Sequence, residues 1–446
     1  MQVSTMRAPA AMRVDGRRHW QAAMLATSAV RRHTPGTMST TDAIAAGGAP
    51  EPAHATAELP QELLRQLRDG LPLPAGALRG FVQGIADGRV GDAQVGAFAM
   101  AVRLRLEEED SKSYQGMLGD VAFDAAIQSL CFGPSEAGIA DRLATVHTPG
   151  GTAALRTAAD LVRAARPDAR VWLADPSWDN HAPIFRAAGL EVRDYPYLDP
   201  ARSGLRSAEL LETLETVPAG DAVLFQASCH NPSGVDIDAA TWERIAEIAG
   251  RRGFLPILDM AYQGLGDGLD ADAAGLRLLA AQLPEMLLTS SCSKNFGLYR
   301  ERIGAVSVLA ASAEHTRVAM SVLLRGIRAN YSMPPAHGAA VVARVLARPD
   351  LRADWEQELA GMRVHVAGMR DRLATTLAGL GCPREALRRQ RGMFSFVNLP
   401  ADGARRLREE HAIYVLESGR INLAGLNDDS AVRFAHALQA VGFTGD

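Results

Sequence analysis

Ten residues, Ser290 to Tyr299 (SSCSKNFGLY), hold the combination best able to do chemistry. A lysine follows a cluster of small hydroxyl residues, and Arg302 lies eight positions beyond it. Apolar runs flank the stretch (EMLLTSS before, RIGAVSVLA after), so Lys294 is expected at a strand end or in a strand-to-strand loop. A lysine so placed can form a Schiff base with an aldehyde. Ser291, Ser293 and Arg302 can hold a phosphate, because hydroxyls donate hydrogen bonds and a guanidinium is a planar two-pronged donor. An aldehyde joined to a phosphate describes pyridoxal 5'-phosphate (PLP). Taken alone, a lysine in a polar loop is more commonly a surface lysine, so the rest of the chain must decide.

The elements that would position this lysine are readable on either side of it. RLATVHTP reads as a strand running into GGTAALRTAADLVRAA, a helix opened by two glycines. RVWLAD, EVRDYPYL, AVLFQAS, FLPILDM and EMLLTSS follow as strands, with helical segments between most of them. That alternation predicts an α/β domain with a mostly parallel sheet over residues 113–310. Sites in such sheets gather at the C-terminal ends of strands, and the polar residues fall there. Gly151 and Thr152 sit between strand and helix, where free N–H groups and a hydroxyl suit a phosphate; a glycine turn before a helix is commonly only a turn. Trp178 can stack on an aromatic ring or fill a core, and His181 can orient an acidic partner or cap a helix. Asn231, in CHNPSG, can donate to a phenolate oxygen, although Asn-Pro is also a turn signal. Asp259 ends the apolar FLPIL run and Tyr262 follows it. A carboxylate there can pair with a pyridinium nitrogen, and a buried one is costly without a partner.

The 446 residues suffice for two or three domains. They are 47% hydrophobic and 22% charged, with a net charge of −4, a balance that argues against a dedicated nucleic-acid binder. Cys131, Cys229, Cys292 and Cys382 show no metal-ligand spacing, which fits a reducing cytoplasm and no structural zinc. No apolar run approaches the ~20 residues needed to span a bilayer. From residue 311 to 446 helical patterns dominate, with MFSFVNL and IYVLES expected as strands and a long charged helix from Asp350 to Leu380.

Residues 1–60 are rich in Ala, Arg, Thr and Pro and are expected to be disordered. Arg17-Arg18 before QAAMLATSAV only faintly resembles an export or organelle signal, and Met38 is an alternative start. Residues 61–106 read as three short helices broken at RDG, ADG and VGD. Through Arg68-Asp69-Gly70 and GFVQGIADGRVGDAQVGAFAMAV this stretch resembles the N-terminal helical domain of thymidine (pyrimidine-nucleoside) phosphorylases. Nothing after residue 106 matches that family's phosphate loop or catalytic residues, so a packing or dimerisation module is expected rather than phosphorolysis.

In order, GGT, SWDNH, CHNPSG, LDMAYQG, SSCSKNFGLYRER and SGRINLAG resemble the class I (aspartate and aromatic amino acid) aminotransferases, from about Tyr114 to the C-terminus. The resemblance implies the PLP fold-type I architecture: a large domain with a mostly parallel sheet and a smaller α+β C-terminal domain. It implies PLP as cofactor and Lys294 as the Schiff-base lysine and proton shuttle. Asp259 would pair with the pyridine nitrogen, supported by His181. Asn231 and Tyr262 would bind O3', and Trp178 would stack on the ring. Gly151, Thr152, Ser291, Ser293 and Arg302 would hold the phosphate, joined by Tyr114 of a neighbouring subunit. Arg420 matches the clamp on the substrate α-carboxylate. Arg328 matches the arginine that takes a side-chain carboxylate from across a dimer, and Phe394 a pocket aromatic. By the same resemblance, Trp178 and Asn231 would also face the substrate.

The implied reaction moves an amino group from aspartate, glutamate or an aromatic L-amino acid to a 2-oxo acid such as 2-oxoglutarate, in a cytoplasmic homodimer. Met333, where aspartate-preferring members commonly carry asparagine, leans toward aromatic donors. Two departures stand out. Gln226 replaces a histidine often found five residues before the asparagine. The family's arm and its glycine-containing lid segment have no recognised counterpart before Tyr114, so reduced or lost transamination is also expected. The alternative readings are a lyase or decarboxylase of the same fold, which the paired arginines oppose, and a catalytically dead fusion whose helical module mediates association.

Overall fold

The structure, a computed structural model, describes residues 113–445, together with Leu63, Gln66, Ala77, Gly80 and Phe81. The expectations for residues 1–60, and most of those for 61–106, lie outside the described residues. The chain divides into two compact units, Met1–Ser111 and Lys112–Asp446. In the first, the five described residues are helical, with Leu63 and Phe81 buried. The second carries every chemical motif.

That unit is built on a seven-stranded sheet: β1 (Leu143–Thr148), β2 (Arg170–Asp175), β3 (Glu191–Pro196), β4 (Ala222–Gln226), β5 (Leu255–Met260), β6 (Met286–Ser291) and β7 (Gly304–Leu309). The order across the sheet is β1-β7-β6-β5-β4-β2-β3. Strands β3, β2, β4, β5 and β6 are mutually parallel, and β7 runs antiparallel to both of its neighbours. The exception has a local cause. No helix lies between β6 and β7, and the chain turns directly through the Lys294 loop, so it must return antiparallel.

Both faces of the sheet are covered, and the strands read as continuous apolar runs for that reason. Side chains alternate between the two faces. In β4, Val223 and Phe225 enter one core with Phe123, Tyr195 and Trp242, while Ala222 and Leu224 enter the other with Leu155, Val171 and Ile257. Helix α1 (Val121–Phe132) serves the first core, and α2 (Gly151–Ala165) the second.

The long charged helix expected from Asp350 to Leu380 is α3 (Pro349–Gly379), opened by a proline in its first turn, where the missing N–H costs nothing. Its Trp355 and Leu359 pack in the first sheet core. Its Leu373 and Leu377 enter a third core, shared with α4 (Gly403–His411) and α5 (Asp428–Ala440) through Leu407, Phe434 and Leu438. One rigid element therefore ties the C-terminal part to the sheet.

The strand expectation for MFSFVNL holds for β8 (Phe394–Phe396), but that for IYVLES does not. The partner of β8 is β9 (Arg420–Asn422), in an antiparallel pair. Residues 413–416 keep a period-two alternation, with Ile413 and Val415 half-buried and Tyr414 and Leu416 exposed. Among the described residues they have no strand to pair with, so the pattern marks an extended segment without a ladder.

Candidate active site

Each polar residue singled out at a strand end projects from the same edge of the sheet. The first residue of α2, after β1, is Gly151, and the loops after β2, β4, β5 and β6 carry Trp178, Asn231, Tyr262 and Lys294 in turn. They converge on a cavity of about 330 Å3 whose walls include Gly151, Thr152, Trp178, Asn231, Asp259, Tyr262, Ser291, Ser293, Lys294, Arg302, Phe394 and Arg420. That volume falls at the lower end of the roughly 300–1,000 Å3 usual for small-molecule sites. A larger recess of about 590 Å3 adjoins it and shares Phe394 and Arg420. It is walled by Ile413, Val415 and Phe434, and its lining includes no lysine, aspartate or glutamate.

At one end the cavity is built for an anion. Helix α2 begins at Gly151 with no side-chain cap, leaving its first-turn N–H groups free. Ser291 Oγ donates to Ser293 Oγ at 3.2 Å, and Arg302 reaches Ser293 Oγ at 3.4 Å. The glycines permit this crowding. A Cβ on Gly150, whose φ is 86°, would lie 2.5 Å from Arg302 Nη2, and one on Gly151 would lie 3.0 Å from Ser291 Cβ. A donor set of free N–H groups, hydroxyls and a guanidinium fits the phosphate of PLP.

At the other end lies a buried carboxylate. Asp259 Oδ2 is 3.2 Å from His181 Nε2, and Thr289 donates to Asp259 Oδ1 at 3.2 Å. Ser177 Oγ in turn sits 2.7 Å from His181 Nδ1, and His181 is fully buried. His181 therefore lies behind Asp259 rather than on the cavity wall. The braced carboxylate faces the cavity, as pairing with a pyridine nitrogen requires. Sequence reasoning missed Thr289 and Ser177, which hold this pair in place. Their signal was polar residues next to recognised ones, in TSS and PSW.

Lys294 sits between these ends. Its Nζ is 4.7 Å from the centre of the Tyr262 ring. Burial lowers its pKa from the ordinary 10.5; the Asp259 charge works against that lowering and the Arg302 charge adds to it. Burial, reinforced by Asp259, also raises the Tyr262 hydroxyl well above its usual range, so it stays protonated and can donate. Asn231 Nδ2 donates to Tyr262 Oη at 3.2 Å, and Arg420 Nη1 reaches Asn231 Oδ1 at 3.4 Å. Arg420 also lies 5.2 Å above the Phe394 ring and 3.7 Å from Asp179 Oδ2. Trp178 stands edge-on to His181, with ring centres 5.2 Å apart.

Gln226, noted only as a substitution, has a definite task. Its amide donates to the Asn231 carbonyl at 2.8 Å and accepts from the Asn231 N–H at 2.9 Å. Both backbone groups are thereby held, and with them the Asn231 side chain. A polar residue ending the buried AVLF run was the available signal. Tyr114 and Arg328 are not on the wall of this cavity. Tyr114 is 90% exposed, and Arg328 is exposed and donates to Ser332 Oγ at 2.6 Å.

This arrangement of lysine, braced carboxylate and phosphate cup in an open α/β sheet defines the PLP fold-type I class. The family description "Aminotransferase class I and II" matches residues 82–438. That match begins inside residues 61–106. The aspartate aminotransferase of Salmonella typhi is 47% identical over 339 residues, covering 75% of this chain and 86% of that protein. The aromatic-amino-acid aminotransferase of Pseudomonas aeruginosa is 44% identical over 345 residues, covering 77% and 86%. Among solved structures, the aromatic-amino-acid aminotransferase of Burkholderia pseudomallei, covalently bound to pyridoxal phosphate, superposes with a TM-score of 0.73 at 42% identity, covering 76% of this chain and 86% of that one. The chain belongs to the class I and II aminotransferase family.

Proposed function

We propose that this chain transfers an amino group between aspartate, glutamate or an aromatic L-amino acid and a 2-oxo acid, with 2-oxoglutarate as the natural acceptor. The observation that carries the proposal is the convergence of Lys294, the braced Asp259, the Asn231–Tyr262 pair and Arg420 on one cavity. When bound, PLP supplies an electron sink that makes a substrate Cα–H bond acidic. Gly151, Thr152, Ser291, Ser293 and Arg302 would hold its phosphate, Asp259 its ring nitrogen, Asn231 and Tyr262 its phenolate oxygen, and Trp178 its ring face.

The chain's own contributions follow from the geometry. Arg420 binds the substrate α-carboxylate with a planar two-pronged donor and orients the Cα–H bond. Lys294 Nζ, kept uncharged at lower pH than a surface lysine, takes the Cα proton and returns it to the opposite end of the reacting system. Phe394 and Trp178 exclude water from the reacting atoms.

A homodimer is part of this proposal. Tyr114 and Arg328 lie outside the cavity of their own chain, as expected if each serves a neighbouring site. Four free, buried cysteines support a reducing cytoplasm; among the described residues no helix is long and apolar enough to cross a membrane. A helical packing module over 61–106 rests on its sequence resemblance and on the buried helical residues Leu63 and Phe81.

The test is a complete reaction. Protein loaded with PLP is incubated with 2-oxoglutarate and, separately, L-aspartate or L-tyrosine, and glutamate formation is measured. Glutamate with either donor supports the proposal, and its absence with both, in folded and fully loaded protein, overturns it.

A further inference from the structure

Next to the active site but sharing none of its lining residues, a further pocket of about 230 Å3 lies between the loop after β5 and the long helix α3. Its chemistry is unlike that of an ordinary solvated surface. Arg363 and Arg370, one face of α3 apart by seven residues, line it together with Arg388 and Arg391. Three carboxylates answer these four arginines, leaving an excess of one positive charge; Arg388 is bound to Glu385 as well as to Asp371. Asp371 is bound to Arg388 at 2.8 Å, and Asp267 to Arg391 at 2.6 Å. Arg363 and Arg370 form no ion pair among the described residues. Arg363 donates only to the Gly264 carbonyl, at 2.8 Å.

Arg370 is the unusual member. It is 3% exposed, and its guanidinium donates to the carbonyls of Arg391, Gly392 and Phe394 and to Gln390 Oε1. A cation so buried without a carboxylate partner is costly. Beside it, Gln390 is 2% exposed, lines the same pocket, and leaves its Nε2 amide without a hydrogen-bond partner. A buried amide donor left unmade is rare and costs free energy. An oxyanion would answer the charge of Arg370, whose hydrogen bonds all go to neutral acceptors, and would accept from the Gln390 amide. Donors arriving from a helix and from a separate loop approach from different directions, which suits a tetrahedral group better than a planar carboxylate.

We propose that this pocket binds a phosphate group, either free or as a small monoester, through Arg363, Arg370 and Gln390. The site adjoins the catalytic one without sharing its residues. Arg391 N–H donates to the Gly234 carbonyl at 2.7 Å, and Gly392 packs directly on Cys229, both in the turn that carries Asn231.

The test is calorimetric titration of the PLP-loaded protein, whose own phosphate cup is filled, with inorganic phosphate in one arm and glycerol 2-phosphate in the other. Saturable binding of one phosphate per chain is expected, weakened about tenfold in R363Q, the loss of one charge-assisted hydrogen bond. Binding of both probes points to the phosphate group as the recognised unit, and binding of inorganic phosphate alone to the free anion. Gln390→Leu, which removes the unpartnered donor, should weaken binding too, and serves as a second variant independent of arginine charge. Absence of saturable binding in the loaded wild type overturns the proposal. So does binding that neither R363Q nor Q390L alters, because the anion would then sit elsewhere.

Discussion

Replacing Asp259 by asparagine tests the electrostatics of the site with little change of shape. The carboxylate is 7% exposed, and its two oxygens lie 3.2 Å from His181 Nε2 and 3.2 Å from Thr289 Oγ1. The proposed function gives it one further task, to balance positive charge on the ring nitrogen of a bound cofactor. Breaking a buried pair by removing one charge costs about 3–5 kcal/mol. If that loss falls on the transition state, the rate falls by roughly two to three and a half orders of magnitude, at about 1.4 kcal/mol for each factor of ten. Losing one hydrogen bond to the charged carboxylate instead costs about 1.5–3 kcal/mol, so Thr289→Val should slow the reaction roughly 10- to 100-fold, less than D259N. The assay is a stopped-flow half-reaction with saturating L-aspartate, followed by the visible absorbance of the protein-bound cofactor. D259N within threefold of the wild-type rate, at equal cofactor loading, would refute the reasoning. So would T289V losing as much as D259N.

Further consequences concern other parts of the structure. Arg302→Gln removes one charged donor from the phosphate cup and should weaken PLP binding about 10- to 100-fold in equilibrium dialysis. The burial-lowered pKa of Lys294 means that its uncharged, reactive form appears at lower pH than the ordinary 10.5. The rate of PLP capture by cofactor-free protein should therefore rise with pH to a midpoint below that value. D259N should move the midpoint lower still, because the Asp259 charge is what holds it up. Asp124 is a buried carboxyl whose Oδ1 has no hydrogen-bond partner, and burial, with the nearby Asp120 charge, pushes its pKa up to about 8. The folded state then holds a proton that the unfolded chain releases above about 4, so this group's contribution to stability is lost as pH rises from about 4 to 8. Asp124→Asn should raise Tm relative to wild type at pH 8, with the gain shrinking toward pH 4; a gain independent of pH would contradict the assignment.

The groups that converge on the cavity were legible because each breaks a strong pattern. Asp259, Asn231 and Lys294 follow continuous apolar runs, and a polar residue at the C-terminal end of a buried parallel strand has few uses outside a site. The alternation of strands and helices likewise gave the order of the parallel strands along the chain, and the short connection after Ser291 foretold the strand-to-strand loop. The bracing of the site was not legible. Thr289 and Ser177 act through hydrogen bonds set by side-chain direction, which one-dimensional spacing does not encode. Gln226 looked like a defect and is a clamp on the Asn231 backbone, since an amide can both donate to and accept from one peptide. The IYVLES segment shows the opposite failure. Alternation fixes an extended backbone, but a strand also needs an edge to pair with, and that depends on the distant residues 394–396.

The most direct test is the absorbance spectrum of the purified protein with PLP, before and after adding L-aspartate or, separately, L-tyrosine. The account predicts a visible band from cofactor attached to Lys294, absent in Lys294→Ala, that shifts to the spectrum of pyridoxamine phosphate with at least one donor. The donor that shifts it reports the preferred substrate. A folded wild-type protein that gives no such band, or one whose band is unchanged in Lys294→Ala, would contradict the assignment of this cavity as the site of transamination.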